Sequence, residues 1–436
     1  MTAAPPRADP QAQTLRWARL ATLVLVALVP ILSGVKRGLP VPGFRISELL
    51  TVLLGGGVLL LCRRRALAKP SVLDWLALAY AVATLALGAI DLLRRDAPFS
   101  SDNVSGLLGP FQFVVLYRAV EVTARAERMR QDVLRAVLLA SLPVALLAIL
   151  QSAGLDPFVD LGVKLTGSDY RGDFDAQGFV RATGTFPHWQ VAAGYFLVVG
   201  ILACALLVRP GHGVLGERAL LAVFAIDTVA LLRTVTSGAS TALVVTCVVL
   251  ALLSGRIRNP LTWIPIGVLI VVVLGGTVFA QRYKEQYERP ETGASVTAHG
   301  IVPRTIVYRY DIWKDQYLPV LEDRWLTGYG PDLPPDARWK YTESVYVTML
   351  LRGGVLLLAI YAAFMVKLAL EGRRLVRAGP VALEAGIGSA AIAIVGALAV
   401  TQVIATYFTT SGAPQVVWTL AALVGARTAA TAGERA

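Results

Sequence analysis

Charge is scarce in this chain of 436 residues: 16% are Asp, Glu, Lys or Arg, against 56% hydrophobic, and the mean hydropathy is +0.62. A soluble globular protein carries about a quarter charged residues, so that class is excluded. Cysteine is nearly absent. Cys62, Cys204 and Cys247 lie in or beside apolar runs, with no C-x-x-C spacing and no histidine close in sequence, which excludes a disulfide framework and a Cys/His metal site. No secretory leader is expected, since Pro5, Pro6, Asp9 and Pro10 crowd the start and no small-residue cleavage pattern follows the first apolar run. Residues 1–14 are therefore expected to be a disordered tail ahead of a first membrane helix. No short-period repeat is visible, and the one biased stretch is the Ala-rich tail.

What is present is a series of apolar runs of about 17–25 residues, each long enough as a helix to cross about 30 Å of hydrocarbon. The fold class expected is all-α, a polytopic integral membrane protein. Twelve spans are read, at 15–33, 46–61, 72–93, 104–123, 132–152, 188–208, 217–235, 237–254, 261–280, 342–367, 384–407 and 412–427. The span at 104–123, which begins among Asn103, Gly106, Gly109 and Pro110, is the weakest. Domain boundaries follow: nine spans over 15–280 with an outer loop at 153–187, a large polar loop at 281–340, three spans over 341–427, and a tail at 428–436.

Net charge is +12, and its placement matters more than its size. Arg63, Arg64, Arg65 and Lys69, the cluster Arg118 to Arg135, Arg209, Arg218, Arg256, Arg258 and Lys367 to Arg377 fall on one set of connections. The opposite short connections hold only Lys36, Arg37, Arg45, Arg94 and Arg95. By the positive-inside rule the first set is cytoplasmic, with both termini. The surplus thus reports topology, and nucleic acid is rejected as a partner; the bilayer is the partner expected.

The loop at 281–340 is then outside the cytoplasmic membrane. A helix is expected from Pro303 to about Val320, with Ile306, Arg309, Tyr310, Trp313, Tyr317 and Val320 on one face and Arg304, Tyr308, Asp311 and Asp315 on another. That spacing sets Arg309 in an aromatic stripe. Its planar fork suits phosphate or carboxylate, or else stacks on Trp313. A tight turn is expected at Gly328 to Pro331. Glu343 opens the next helix, either as a dipole-favoured cap or as a carboxylate able to take a proton from a hydroxyl.

The order R-x4-R-x3-W (Arg304, Arg309, Trp313), P-x8-G-x-G (Pro319, Gly328, Gly330), a polar pair opening a helix (Glu343, Ser344) and Gly353-Gly354 resembles the O-antigen ligase and O-antigen polymerase superfamily. The segments RATGTFPHWQVAAGY from Arg181 and LLRTVTSGAS from Leu231 are similar to two further motifs of that family, so the resemblance covers roughly 181–370. It implies a GT-C-like membrane glycosyltransferase with short helices in its outer loop. Such an enzyme moves a glycan from an undecaprenyl-diphosphate carrier to a hydroxyl of a lipid, polysaccharide or protein acceptor on the outer face. The implied reaction needs no metal or other cofactor and inverts the anomeric centre if displacement is direct. Arg309, Arg181 and Arg304 would hold the diphosphate, Glu343 would be the base, and Trp313, Tyr308 and Arg233 would support. Two positions depart from the family: ligases usually carry His where this chain has Glu343, and the Arg of T-x-S-R-G-A falls on Ser237.

His188 and His299 remain alternative bases, while His212 lies on the cytoplasmic side. Gln190, Gln402 and Tyr407 are further candidates for the same cavity. Asp227 and Arg352 fall within spans, where charge is costly; they form either a structural pair or the ion path of a secondary transporter, the reading from a different class. A repeat-unit polymerase is the alternative within the superfamily.

Overall fold

The computed structural model describes residues 10–38, 44–66, 70–168, 180–254, 267, 304–332, 342–378, 381–409 and 411–433. Among them the regular structure is helical. The helices are α1 (Pro10–Leu32), α2 (Ile46–Leu61, with a π turn at Thr51–Gly55), α3 (Val72–Arg94), α4 (Ser101–Thr123), α5 (Glu127–Ser152), α6 (Asp156–Thr166), α7 (Trp189–Leu207), α8 (Glu217–Arg233) and α9 (Ser237–Leu253). After the polar loop come α10 (Arg304–Ile312, continued by a π turn at Trp313–Tyr317 and by Leu318–Val320), α11 (Val345–Ala378), α12 (Ala382–Thr401) and α13 (Ala413–Gly433). Eleven of the expected spans fall on these helices; the one at 261–280 lies outside the described residues apart from Gly267. Among the described residues six helices, α1, α3, α5, α7, α11 and α12, are long and apolar enough to cross a membrane. At the weakest of the expected spans a helix forms, α4, continuous through Pro110 and capped by the Ser100 hydroxyl on the Asn103 amide, though it is not one of these six.

Helix α7 is the central post. It is apolar on all sides, as a helix surrounded by protein must be, and 89% of its most apolar window is buried, against 33–67% for the other five. Small residues allow close approach of its neighbours; at Gly194 a Cβ would lie 2.6 Å from the Tyr407 ring. Helices α5, α8, α9, α12 and α13 pack around it. Several buried or partly buried arginines pair with acids: Arg118 with Asp74 and Glu121, and Arg130 and Arg427 with Glu384.

Two local features differ from expectation. The 153–187 loop contains α6, whose signals are ordinary ones, Pro157 in the first turn and Gly167 at φ +73 closing it. In α10 the π turn inserts an extra residue and rotates the apolar face. Ile312, Trp313 and Tyr317 therefore meet Leu321, Val347 and Leu351 in a small satellite core, and Tyr310 is left 58% exposed.

Helix α11 is broken where the sequence reads Gly353-Gly354. Gly354 has φ +62, and a Cβ there would come within 2.2 Å of the Leu326 carbonyl carbon. The backbone groups freed by the break are taken up by the 325–330 turn. Tyr329 N donates to Leu351 O (2.6 Å), Gly330 N to Arg352 O (3.0 Å), and Val355 N to Trp325 O (2.8 Å). Irregular backbone at membrane depth is tolerated where protein satisfies it in this way. The turn is clamped by Asp91 of α3, 2% exposed, which accepts from Arg324 Nη1 (2.9 Å) and Arg95 Nε (2.7 Å). Arg95 Nη2 also donates to Tyr329 O (3.0 Å) and Asp332 O (2.8 Å), and both guanidiniums lie over the Tyr329 ring.

Candidate active site

With α11 fixed, the start of that helix is held from both sides. Val345 N donates to Gln402 O (3.0 Å), the Ser344 hydroxyl donates to the same carbonyl (3.3 Å), and Trp313 Nε1 donates to Thr342 O (2.7 Å). Thr342 and Ser344 are buried, and between them Glu343 sits at φ +51. A left-handed conformation costs a non-glycine residue roughly 1–2 kcal/mol. It persists because its neighbours over-determine it, and from it the carboxylate reaches Arg309. Glu343 thus lies two residues ahead of Val345, where α11 begins.

Arg309 meets it from α10. Nε donates to Glu343 Oε2 (2.5 Å), Nη2 reaches the same oxygen, and Nη1 donates to Thr305 O (3.2 Å). The side chains are 17% and 37% exposed, so the pair faces open space and not packed protein.

That space is a cavity of about 960 Å³, near the upper end of the range for ligand sites, about 300–1,000 Å³. Arg181, His188, Gln190, Thr236, Ser237, Thr305, Arg309, Glu343 and Tyr407 line one end. From there it runs as a groove between α9 and α12. Gly238, Thr241, Ala242, Val245, Thr246, Val249, Leu250 and Leu253 face Ser389, Ile392, Ala393, Gly396, Ala397 and Val400, each set a single stripe at three- to four-residue spacing. The many small side chains on these stripes leave the volume open.

Arg181 is buried, yet two of its nitrogens serve the α8–α9 turn: Nε donates to Thr234 O (3.0 Å) and Nη2 to Val235 O (2.9 Å), with Val235 at φ +53. Its guanidinium stacks 4.2 Å above the Trp189 ring. Arg181 therefore shapes this end of the cavity as well as contributing charge to it. His188 caps α7 by accepting the Gln190 amide at Nδ1 (3.2 Å). Burial and then Arg181 lower its pKa to about 4, which makes it a weak base at neutral pH.

The remaining sequence candidates separate. Arg304 begins α10, but its side chain, like His299, lies outside the described residues. Trp313 anchors Thr342, Tyr308 lies on α10 away from the lining, and Arg233 is exposed, offering only its carbonyl to Ala182 N (3.0 Å). Gln402 is not on the lining; it is buried and accepts from the Tyr361 hydroxyl. Asp227 and Arg352 do not pair. Asp227 accepts the Ser141 hydroxyl (2.7 Å) between α5 and α8, while Arg352 lies on α11 near Tyr80 of α3. Missed by the sequence reading were Asp91 and Arg324, although Asp91 and Arg95 stand at i and i+4 in the last turn of a span, a detectable signal. Among the described residues no group of three or more His, Cys, Asp or Glu side chains is placed to hold a metal.

No curated protein matches the chain in sequence. Residues 220–362, which contain most of α8, all of α9, Arg309, Glu343 and the Gly353-Gly354 break, match the family described as O-antigen ligase. Over those residues the chain is similar to the O-antigen ligase family.

Proposed function

We propose that the chain transfers a glycan from undecaprenyl diphosphate to a hydroxyl acceptor at the outer face of the cytoplasmic membrane, in the manner of an O-antigen ligase. The observation that carries this is the Arg309–Glu343 pair at the head of a long apolar groove. It supplies a phosphate-binding fork, a carboxylate and room for a lipid tail in one continuous space.

The acceptor hydroxyl gives its proton to Glu343 as its oxygen attacks the anomeric carbon. The bond from that carbon to the diphosphate oxygen breaks, and undecaprenyl diphosphate leaves with the electron pair. The negative charge developing on the leaving group is held by Arg309, with Arg181 and Arg304 in support, so that fixed cations provide the electrostatic stabilisation. Attack opposite the leaving group inverts the centre.

In the resting arrangement all three Arg309 nitrogens are engaged within the chain. Glu343 occupies the place a phosphate would take. A diphosphate carries more charge than a carboxylate and competes for the fork; as it binds, Glu343 is released to act as base. Proton abstraction is thereby tied to the presence of donor. The test is binding of a lipid-linked donor to purified Arg309→Ala in nanodiscs. Loss of binding and of transfer, with normal folding, is expected, and retained transfer refutes the assignment.

A further inference from the structure

Residues 181–186 are all buried, yet they form neither helix nor strand. Buried backbone of that kind keeps its shape only where other groups take up its N–H and C=O. Gln151, in the last turn of α5 and 3% exposed, does this for Thr183 and Gly184. Its Oε1 accepts from Gly184 N (2.8 Å), Thr183 N (3.2 Å) and Thr183 Oγ1 (3.2 Å). Its Nε2 donates to Gly184 O (3.1 Å) and to Phe158 O of α6 (3.3 Å). One side-chain amide thus pairs with both backbone groups of Gly184, as a neighbouring peptide group would. Three donors meet the oxygen and two carbonyls meet the nitrogen, so the amide can sit only one way round, and no capacity is left for a ligand. Gly184 has φ +60 and packs on the face of α5 that carries Val144, Ala148 and Gln151; a Cβ there would come within 2.9 Å of Val144 Cγ1.

Arg181 stands two residues before Thr183 and lines the head of the groove. It also borders a separate void of about 20 Å³, shared with Gln151, Gly162 and Thr183, which is room for one water. Packing alone therefore does not hold Arg181 in place. Hydrogen bonds do, its own to the Thr234 and Val235 carbonyls and those of Gln151 to the next residues along the chain. We propose that Gln151 is a positioning residue, which fixes Arg181 at the head of the groove through Thr183 and Gly184 so that its charge meets the donor diphosphate. The consequence for the diphosphate rests on the function proposed above, whereas the hold on Arg181 does not.

The test is a double-mutant cycle on the full chain in nanodiscs, with undecaprenyl diphosphate as the probe. Gln151→Met, close in volume but without the amide, is expected to weaken binding about tenfold, an ordinary coupling between neighbours. In the Arg181→Gln background the same change should cost less than about twofold, because the residue it acts through is gone. A loss of about tenfold in both backgrounds, as a general loosening of the fold would give, or no loss with Arg181 present, overturns the proposal. A second readout needs no donor. The chain has three histidines, and NMR of histidine-labelled protein follows His188, whose pKa burial and then Arg181 lower to about 4. In Gln151→Met it should rise to about 5 or above as water enters the 181–188 segment and Arg181 moves away; a value unchanged from wild type overturns the proposal. Wild type that fails to bind the probe refutes the proposed function instead, and the His188 titration then decides the hold on Arg181. If Gln151→Met yields no folded protein, Gln151→Asn, whose amide is too short to span both Gly184 groups, goes through the same cycle and titration with the same expectations. Ser152→Ala, whose hydroxyl turns back to Ile149 O, is the control and should match wild type in both readouts.

Discussion

Removing the Asp91 carboxylate tests how the broken helix is held. Asp91 accepts charge-assisted hydrogen bonds from Arg95 Nε and Arg324 Nη1, each worth about 1.5–3 kcal/mol. Both arginines reach solvent, with side chains 19% and 24% exposed, so water replaces part of what Asp91→Ala removes. A loss of about 3 kcal/mol, the low end for breaking a buried pair, is expected. At about 1.4 kcal/mol per factor of ten this raises the open population of the 325–332 turn roughly 100-fold. Amide hydrogen exchange reads it directly, because Tyr329, Gly330 and Val355 donate across the contact between turn and break. Their exchange should quicken by about two orders of magnitude in Asp91→Ala and stay unchanged in Arg94→Ala, an exposed neighbour. Exchange within about threefold of wild type in Asp91→Ala would refute the assignment of the clamp.

Gly354→Ala places a methyl group into the Leu326 backbone at a positive φ and should abolish recovery of folded protein, read by size-exclusion chromatography in detergent. Glu343→Gly and Glu343→Gln both remove the charge pair, but only glycine relieves the left-handed strain. Glu343→Gly should be the more stable by roughly 1 kcal/mol after the glycine entropy cost, measured by thermal unfolding. His188, with its folded pKa depressed from 6.5 to about 4, favours the folded state above pH 6.5, and this contribution fades as pH falls from 6.5 through 4. His188→Gln should flatten the pH dependence of stability in that window while transfer at pH 7 persists. Glycan chain length in a deletion strain separates ligase from polymerase: long carrier-linked chains accumulate if a ligase is lost, and single attached units remain if a polymerase is lost.

The spans were legible because lipid imposes length and apolarity on each helix separately, so composition in a window suffices. Arg309 and Glu343 were legible through helical spacing and motif order, since α10 and α11 each begin at a recognisable signal. Their direct contact was not, because it depends on the left-handed conformation at Glu343, held by Thr342, by Ser344 and by carbonyls at the end of α12 that accept from Val345 N and the Ser344 hydroxyl. Gly328, Gly330, Gly353 and Gly354 were visible as motif letters, but their meaning, two irregular backbones interlocked, exists only in three dimensions. The exposed position of Tyr310 escaped for a similar reason: a π turn has no marker in helical periodicity. Arg181 read as a phosphate ligand, and its bonds to Thr234 and Val235 carbonyls add a structural duty that side-chain spacing cannot reveal.

The central claim is that Glu343 competes with the donor for Arg309 and then serves as the base, and Glu343→Gln separates the two roles. Donor affinity and single-turnover transfer should be measured on the same nanodisc preparation with an undecaprenyl-diphosphate-linked glycan and a hydroxyl acceptor. Glu343→Gln is predicted to bind donor at least as tightly as wild type, because the competing charge is gone, while transferring about 10²–10⁴-fold more slowly. Transfer at the wild-type rate, or loss of donor binding in step with loss of transfer, would contradict it.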